Sequence, residues 1–410
     1  MSKYILKFKK FNSNVSLDIC GSKSISQRAL IINHLSSKDI DCVNLSNSED
    51  TRTLNKILNQ KDLLIDVKDG GTTLRFFLCV LSIRNKNYFI EGSDMLKKRP
   101  IKNLILNLMK LGVRFKFQSK DYEIPFFING GVLKSQDLII DSVKTSQFAS
   151  GLALVAPLIN GGLRLIFKNK IPSRPFFDMT IEMMRKCGAQ IIFDDNLIEI
   201  KEGRYDKGYS KIESDWTSIS YIYEVVAFSK NTSVVCSSFL KNSIQGDSAL
   251  VSFFNLLGVE TNYNNDKVIL RKHEKFPKPK LIEWNVSDTP DLALTYIVTC
   301  LGLGIDLKLT GIKTLYFKES NRLQSMAIEL KKFNVKVVLE DDFFLMNTSS
   351  SRLNSCEIKT HSDHRIALAF SPLVIITKEL IIDDSDVVSK SYPEFWNDLK
   401  KIGVKIISNG

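Results

Sequence analysis

Cationic and hydroxyl side chains stand at the beginnings of apolar runs in this sequence, where they could bind anions. Lys23, Ser24 and Arg28 open one such run in "GSKSISQRALIINHL". Because Ser24 and Arg28 are four residues apart, they share one face of a helix. Helix N-termini carry free N–H groups and partial positive charge, and arginine binds carboxylate or phosphate through two hydrogen bonds. For this stretch alone, an N-cap serine followed by a solvated arginine is the simpler interpretation.

The same residue types recur before or at the start of other predicted helices. In the first half of the chain they are Thr72, Arg75, Arg99, Thr145, Ser146, Gln147 and Arg174. In the second half they are Asp291, Lys318, Glu319, Arg322, Asp363, His364, Arg365 and Lys390. If these positions converge, arginine and lysine would bind anionic substrates. Asp291 and Glu319 would then be acid–base candidates in a strongly cationic site.

Each of these motifs also has a purely structural interpretation. "GTT" before a helix is usually a cap, and it lacks the GK[ST] ending of a P-loop. Lys318, Glu319 and Arg322 have the spacing of a surface ion-pair ladder on a helix. Asp291 follows Thr289–Pro290, so it could be only an N-terminal helix charge. Their recurrence at one point of a repeat is what favours a functional site.

That repeat is visible in the sequence as six pairs of helices. A polar cap opens an apolar helix six times, and the last four copies begin at Ser146, Thr217, Pro290 and Ser362, about 72 residues apart. A more amphipathic helix follows each copy, and β-type segments such as "NYFIEGS" and "ELIIDDS" stand between the helices. Four of the second helices end at a glycine typical of the C′ position, namely Gly112, Gly188, Gly258 and Gly403. The sequence predicts an α/β protein of six βαβαββ repeats.

Six repeats divide into two domains of three. We expect the first domain to span residues 21–213, and the second to combine residues 1–20 with residues 214–410. The chain would pass between them near Cys20–Gly21 and near Glu213–Asp215. The strand-like residues before Gly21 are expected to complete the last repeat and to bring the termini together.

Composition limits the kinds of partner. No apolar run approaches the ~20 residues of a membrane span, and the start of the chain lacks the apolar core of a signal peptide. We therefore expect a cytoplasmic protein without a membrane partner. The net charge is +12, but the lysines are spread along the chain, so no nucleic acid partner is expected. We also expect a monomer.

Cysteine and histidine are distributed in a way that disfavours a metal site. The seven cysteines are scattered without a CxxC pair, which indicates buried thiols. His361 and His364 form the only close histidine pair, and no other ligand cluster accompanies them. We expect a mechanism that uses neither a metal nor an organic cofactor.

An ordered set of motifs resembles the 5-enolpyruvylshikimate-3-phosphate synthase family. The motifs are GSKSISQRAL, DGGTTLR, KKRPI, TSQF, SRPFFD, DTPDLAL, KESNRL, SDHRIALAF and SKSYPEF, from about Gly21 to Trp396. The resemblance implies an inside-out α/β barrel of two three-repeat domains that close on substrate. It also implies transfer of enolpyruvyl from phosphoenolpyruvate to the 5-hydroxyl of shikimate 3-phosphate, with release of phosphate and without a cofactor.

Residue by residue, the resemblance implies three sets of site residues. Shikimate 3-phosphate would contact Lys23, Ser24, Arg28, Thr145, Ser146, Gln147, Ser173, Asp291 and Lys318. Phosphoenolpyruvate would contact Lys23, Gly71, Arg99, Gln147, Arg322, Arg365 and Lys390. Asp291 and Glu319, assisted by Lys23, would transfer protons. The sequence departs from the usual pattern of the family at Gln27, Phe76, Thr145, Phe176, Thr314 and Asn321, which leaves the affinity for shikimate 3-phosphate open.

Two other functions are compatible with parts of this pattern. The sister UDP-N-acetylglucosamine enolpyruvyl transferase shares the fold and the donor. It has Asn after the first lysine and usually a reactive Cys before the later Arg motif, whereas here Ser24 follows Lys23 and "EGSDMLKKRP" contains no cysteine. A basic RNA-binding or RNA-end-processing module of related repeat architecture is the alternative from another class, and its binding would depend steeply on salt.

Overall fold

A computed structural model describes residues 2–36, 38, 40–141, 145–230, 232–273 and 275–409. The chain forms two compact units. The first, here called the inserted unit, is Lys23–Ile212, and the second, the terminal unit, combines Met1–Ser22 with Glu213–Gly410. In the part of the chain that the structure describes, no helix is both long and apolar enough to cross a membrane.

Helices and strands alternate along both units. The helices are α1 (Lys23–Leu35), α2 (Glu49–Asn59), α3 (Gly71–Ser82), α4 (Asp94–Lys97), α5 (Lys102–Lys110), α6 (Gln147–Val155), α7 (Arg174–Lys186), α8 (Trp216–Ala227), α9 (Leu250–Leu256), α10 (Ala293–Leu303), α11 (Arg322–Lys331), α12 (His364–Phe370), α13 (Val374–Thr377) and α14 (Phe395–Ile402). The strands are β1 (Lys3–Phe8), β2 (Val15–Leu17), β3 (Leu64–Asp66), β4 (Asn87–Glu91), β5 (Arg114–Phe117), β6 (Phe126–Asn129), β7 (Asp137–Ile140), β8 (Leu163–Phe167), β9 (Ile191–Asp194), β10 (Leu197–Ile200), β11 (Ser233–Ser237), β12 (Val259–Asn264), β13 (Lys267–Lys272), β14 (Leu281–Asn285), β15 (Asp306–Thr310), β16 (Lys336–Leu339), β17 (Phe343–Asn347), β18 (Glu357–Ile358), β19 (Glu379–Ile382) and β20 (Val404–Asn409).

These strands form sheets of four with one repeated topology. The sheets are β3-β4-β6-β5 and β7-β8-β10-β9 in the inserted unit, and β2-β11-β13-β12, β14-β15-β17-β16 and β18-β19-β1-β20 in the terminal unit. In each sheet one edge pair is parallel and the other two pairs are antiparallel. Two-residue hairpins connect β9 with β10 and β12 with β13. They place Asp195 and Asn265 at positive φ, which these residue types tolerate.

The first predicted repeat differs from the other five. Its two helices form, but the described residues around them contribute only isolated bridges, Gly21–Ser214 and Val43–Lys211, instead of a four-stranded sheet. The described part of the segment between α1 and α2 is polar and lacks a run of β-branched residues, and β3 after α2 belongs to the next sheet. Among the described residues, five of the six predicted repeats therefore have a complete four-stranded sheet, and the first has its two helices without one.

The N-terminal strands divide between two sheets. β1 lies between β19 and β20 and pairs antiparallel with both, which confirms that the start of the chain completes the last repeat. β2 instead pairs in parallel with β11. The prediction that all residues before Gly21 serve the last repeat was therefore wrong for β2, whose burial pattern suits an edge position in that other sheet.

The twelve predicted helices are present, and their ends follow the expected chemistry. Gly112, Gly188, Gly258 and Gly403 all have positive φ, where glycine has no Cβ penalty. The last apolar helix is shorter than predicted. It ends at Phe370 and continues through a 3-10 turn over Ser371–Leu373 into α13, because Pro372 cannot donate the next helical hydrogen bond.

The carboxylate of Glu224 lies within the apolar core of the terminal unit. Glu224 on α8 has no exposed surface, and neither carboxylate oxygen has a hydrogen-bond partner among the described residues. Burial therefore raises the pKa of Glu224 well above its ordinary value. Because the folded state binds this proton more tightly than the unfolded state, stability falls as the pH rises above the unfolded pKa of about 4.3.

Replacing Glu224 by leucine is expected to stabilise the protein. The free energy of unfolding at pH 8 should increase by about 1–3 kcal/mol, the usual cost of an unsatisfied buried polar group. Thermal melts at pH 6 and pH 8 measure the effect, and the gain should be larger at pH 8. Glu224→Gln is the control, since it removes the titration but keeps a buried polar group. A lower melting temperature of Glu224→Leu at both pH values would contradict the prediction.

Candidate active site

In the inserted unit, the first turn of α1 is tied to α2 and α3 by hydrogen bonds. Lys23 Nζ lies 3.2 Å from Asp50 Oδ2, and Asp50 is buried in the first turn of α2. Thr73 on α3 accepts a hydrogen bond from Gln27 Nε2 at 3.1 Å and donates to the Asp50 carbonyl at 3.1 Å. These contacts fix the position of the Lys23 ammonium group.

Arg28 is buried among neutral hydrogen-bond acceptors. Its side chain is 2% exposed and donates to Thr180 Oγ1 at 2.7 Å and to the carbonyls of Ser24 and Phe176 at 2.8 Å each. Among the described residues no carboxylate forms an ion pair with it, and burial lowers the pKa of Arg28 to about 9. A buried guanidinium with neutral partners favours an anionic ligand. The simpler interpretation, in which Arg28 is a solvated arginine, was therefore wrong.

Other candidates of the inserted unit lie at the starts of three further helices. Gly71 begins α3, and a Cβ built on it would lie 2.4 Å from Arg99 Nη1, so glycine permits this close approach. Gln147 begins α6 and its Oε1 accepts from Arg75 Nη1 at 2.6 Å. Thr145 Oγ1 accepts a hydrogen bond from the Gln147 N–H at 3.2 Å. Ser146 and Ser173 are buried and directly precede α6 and α7.

In the terminal unit, Asp291 is surrounded by three cations. Its Oδ1 accepts hydrogen bonds from Lys318 Nζ at 3.0 Å and Arg322 Nη1 at 2.9 Å. Its Oδ2 accepts from Arg365 Nη2 at 2.9 Å. Asp291 lies in the short 3-10 helix Pro290–Leu292, before α10. Asp291 therefore does more than contribute a charge at a helix N-terminus, which was the purely structural interpretation.

Two further carboxylates complete this group, which we call the terminal cluster. Glu319 Oε2 accepts from Arg322 Nη2 at 2.8 Å, and its Oε1 lies 3.8 Å from Lys390 Nζ. Asp363 Oδ2 accepts from Arg322 Nε at 2.9 Å. The terminal cluster thus contains Asp291, Lys318, Glu319, Arg322, Asp363, Arg365 and Lys390. Within it, Arg322 contacts all three carboxylates.

The surface-ladder interpretation of Lys318, Glu319 and Arg322 was wrong for two reasons. Arg322 is the first residue of α11, so the other two precede the helix and do not share a helical face with it. Arg322 is also only 1% exposed. Burying an arginine together with several carboxylates costs desolvation free energy. This cost favours a functional role for the group.

Burial and charge act in opposite directions on the pKa values of the terminal cluster. Burial alone would raise the pKa of Asp291, but Arg365, Lys318 and Arg322 outweigh it and hold that pKa well below the usual range. Burial lowers the pKa of Lys318 despite the neighbouring Asp291. For Arg365, burial is outweighed by Asp291 and the pKa is raised. Asp291 is therefore ionised and Arg365 charged at neutral pH.

The structure adds residues that the sequence gave no reason to select. Asp50 stands in an ordinary first-turn position, where an acidic residue is expected for helix capping, so its contact with Lys23 had no signal in the sequence. Tyr221 on α8 lies with its hydroxyl 3.3 Å from Arg365 Nη1. Asp247 is buried, and burial together with Asp291 raises its pKa to about 7.

Several positions at which the sequence departs from the usual family pattern have identifiable side-chain contacts. The Phe76 ring lies 5.2 Å from the Arg28 guanidinium carbon, a cation–π distance. Asn321 caps α11 by accepting from the Gln324 N–H at 3.3 Å. The hydroxyl of Thr314 is buried without a hydrogen-bond partner among the described residues. Within those same residues no group of three or more His, Cys, Asp and Glu side chains could hold a metal ion.

Comparison with known proteins gives similarity over most of the chain. The family model of EPSP synthase (3-phosphoshikimate 1-carboxyvinyltransferase) matches residues 55–399. A 3-phosphoshikimate 1-carboxyvinyltransferase of Bacteroides fragilis is 33% identical over 395 residues, which cover 95% of this chain and 96% of the relative. The enzyme of the same name from Vibrio atlanticus is 28% identical over 417 residues, with 95% and 96% covered.

Solved structures share the fold. An EPSP synthase of Acinetobacter baumannii superimposes with a TM-score of 0.78 at 18% identity, covering 100% of both chains. An enolpyruvyl transferase of Streptomyces tendae superimposes with a TM-score of 0.73 at 12% identity, covering 100% of this chain and 99% of that one. Both comparisons confirm an α/β fold of this kind.

Proposed function

Because the chain belongs to the EPSP synthase family, we propose that it transfers the enolpyruvyl group of phosphoenolpyruvate to the 5-hydroxyl of shikimate 3-phosphate and releases phosphate. This reaction belongs to the shikimate pathway, which leads to chorismate and the aromatic amino acids. The observation that carries the proposal is the similarity of nearly the whole chain to 3-phosphoshikimate 1-carboxyvinyltransferases.

The proposal also covers the architecture of the protein, its oligomeric state, its location in the cell and its lack of cofactors. The six repeats form an inside-out barrel in two domains, residues 21–213 and residues 1–20 with 214–410. The protein acts as a cytoplasmic monomer on two small anionic substrates, without nucleic acid, metal or organic cofactor. The repeated sheet topology supports the repeat architecture.

We assign the substrate contacts by chemistry and by position in the family motifs. Each substrate carries a phosphate and a carboxylate, so several cations are needed. Shikimate 3-phosphate contacts Lys23, Ser24, Arg28, Thr145, Ser146, Gln147, Ser173, Asp291 and Lys318. Phosphoenolpyruvate contacts Lys23, Gly71, Arg99, Gln147, Arg322, Arg365 and Lys390. Arg28 is buried and donates to the neutral oxygens of Thr180, Ser24 and Phe176, which supports its role as an anion ligand.

In the proposed mechanism, Asp291 and Glu319 handle the protons and Lys23 assists. C3 of phosphoenolpyruvate gains a proton while the 5-hydroxyl attacks C2 and loses its proton, which forms a tetrahedral adduct. Loss of phosphate and of a C3 proton then restores the enol ether. Anionic substrates would partly neutralise the cations around Asp291 and raise its basicity, because those cations hold its pKa low. The same carboxylates would stabilise cation-like states.

The test is a phosphate-release assay with a panel of acceptors. Shikimate 3-phosphate with phosphoenolpyruvate should give one phosphate and one carboxyvinyl product per turnover, and chelator treatment should not reduce the rate. UDP-N-acetylglucosamine is the matched control acceptor, and it should give no phosphate. Turnover with the control acceptor but not with shikimate 3-phosphate would refute the proposal.

A further inference from the structure

A second group of charged side chains lies on α11, two helical turns beyond Arg322. Glu329 has no exposed surface, yet its carboxylate has three partners. Oε1 is 2.9 Å from His361 Nε2, while Oε2 accepts from Lys332 Nζ at 2.5 Å and from the Lys359 backbone N–H at 3.0 Å. Glu329 thereby connects α11 to the segment that leads into α12.

The connected segment is a turn in an unfavourable backbone conformation. The Asp363 N–H donates to the Thr360 carbonyl at 2.9 Å, and the two central residues, His361 and Ser362, have φ of 52° and 55°. Positive φ at both central positions is the pattern of a type I′ turn, which glycine, asparagine and aspartate normally occupy. For a residue with a Cβ, a left-handed conformation reduces the population by a factor of about 5 to 30.

The residues directly after this turn organise the terminal cluster. Asp363 Oδ2 accepts from Arg322 Nε at 2.9 Å, and Asp363 Oδ1 accepts from the backbone N–H of Arg365 at 3.0 Å. Arg365 in turn donates to Asp291. If the turn relaxed, Asp363 would move and both arginines would lose a fixed partner. Strain of this kind persists only where surrounding contacts enforce it.

We propose that the contact between Glu329 and His361 is a clamp that holds the left-handed turn at 361–362 and thereby positions Asp363 and Arg365. His361 is a positioning residue, because its side chain contacts Glu329 and acts through the backbone of the turn. The expected effect on KM rests on the proposed function, whereas the effect on the backbone does not.

His361→Ala and His361→Gly form a matched pair that tests the clamp. Both variants lose the imidazole, but only glycine adopts positive φ without a Cβ penalty. We expect His361→Ala to raise KM for phosphoenolpyruvate about 5- to 30-fold, because only the fraction of molecules with the turn formed binds substrate. kcat at saturation should change little, and His361→Gly should recover most of the loss in KM. His273→Ala, which removes an exposed histidine 3.5 Å from Glu260, is the control and should behave as wild type.

Steady-state kinetics can overturn the clamp in two ways. Equal increases of KM in His361→Ala and His361→Gly would show that the imidazole acts other than through the backbone. A lower kcat at unchanged KM would show a role in the chemical step. A general loss of stability would affect the glycine variant at least as strongly, so it would not imitate the expected recovery.

Hydrogen exchange of the Asp363 and Arg365 amides in the ligand-free protein separates the clamp from the proposed function. Both amides should exchange faster in His361→Ala and near the wild-type rate in His361→Gly. If the wild-type protein showed no turnover, the proposed function would fail, but this exchange pattern would still support the clamp. Wild-type exchange rates in His361→Ala would overturn the clamp whatever the activity.

Discussion

Glu319→Gln is expected to lower kcat by about 10²- to 10⁴-fold, the usual contribution of a positioned acid–base group. The amide oxygen of glutamine can still accept the hydrogen bond that Arg322 Nη2 now donates to Glu319 at 2.8 Å. Only the negative charge and the capacity to transfer a proton are lost. Binding of shikimate 3-phosphate should therefore remain close to that of the wild type. Steady-state kinetics combined with isothermal titration measures both quantities.

A matched control for this experiment is Glu283→Gln, which changes an exposed glutamate whose nearest cation, Lys308, lies 3.5 Å away. Its kcat should equal that of the wild type. If Glu319→Gln abolished binding of shikimate 3-phosphate instead of slowing turnover, Glu319 would be a binding residue and its assignment to proton transfer would be wrong.

Arg28→Met is expected to weaken binding of shikimate 3-phosphate while stabilising the ligand-free protein. Losing a charge-assisted hydrogen bond costs about 1.5–3 kcal/mol, so the dissociation constant should rise about 10- to 150-fold. The ligand-free melting temperature should increase, because a buried guanidinium among neutral acceptors is replaced by an apolar side chain of similar length. Calorimetry and thermal melts of the same sample measure the two effects.

Arg164→Met is the control for this pair of effects. Arg164 is an exposed arginine of the same inserted unit, paired with Asp137 at 3.1 Å, and its loss should change neither binding nor melting temperature appreciably. A lower melting temperature of Arg28→Met together with unchanged affinity would mean that Arg28 is a structural residue. The opposite signs of the two expected effects make this outcome easy to recognise.

The sequence alone was sufficient for the local elements. Periodic apolar residues and polar caps predicted all twelve helices of the repeats, and Gly71–Ser82 forms the helix expected from "GTTLRFFLCVLS". The C′ glycines were also predictable, as Gly188 illustrates with a φ of 100°. These features depend on neighbours within a few residues, so a single sequence contains the information.

The sequence also identified most candidate side chains, but not how they pair. Asp291, Lys318, Glu319, Arg322 and Arg365 were selected by their place in the repeat, and the tertiary structure brings them together. Sequence periodicity did not distinguish a buried Arg322 from a surface residue, nor Asp291 from a helix-end charge. Burial depends on what packs over a residue, and the packing partners are distant in the chain.

Tertiary structure alone decided which strands complete which sheet and which carboxylates meet which cations. β1 completes the last sheet, whereas β2, seven residues further along, joins the sheet of β11. Asp50 reaches Lys23 across 27 residues, and Thr180 reaches Arg28 across 152. Helix formation is governed by local hydrogen bonds and side-chain periodicity. Strand pairing and ion pairing are instead selected by the packing of the whole unit, which no local pattern encodes.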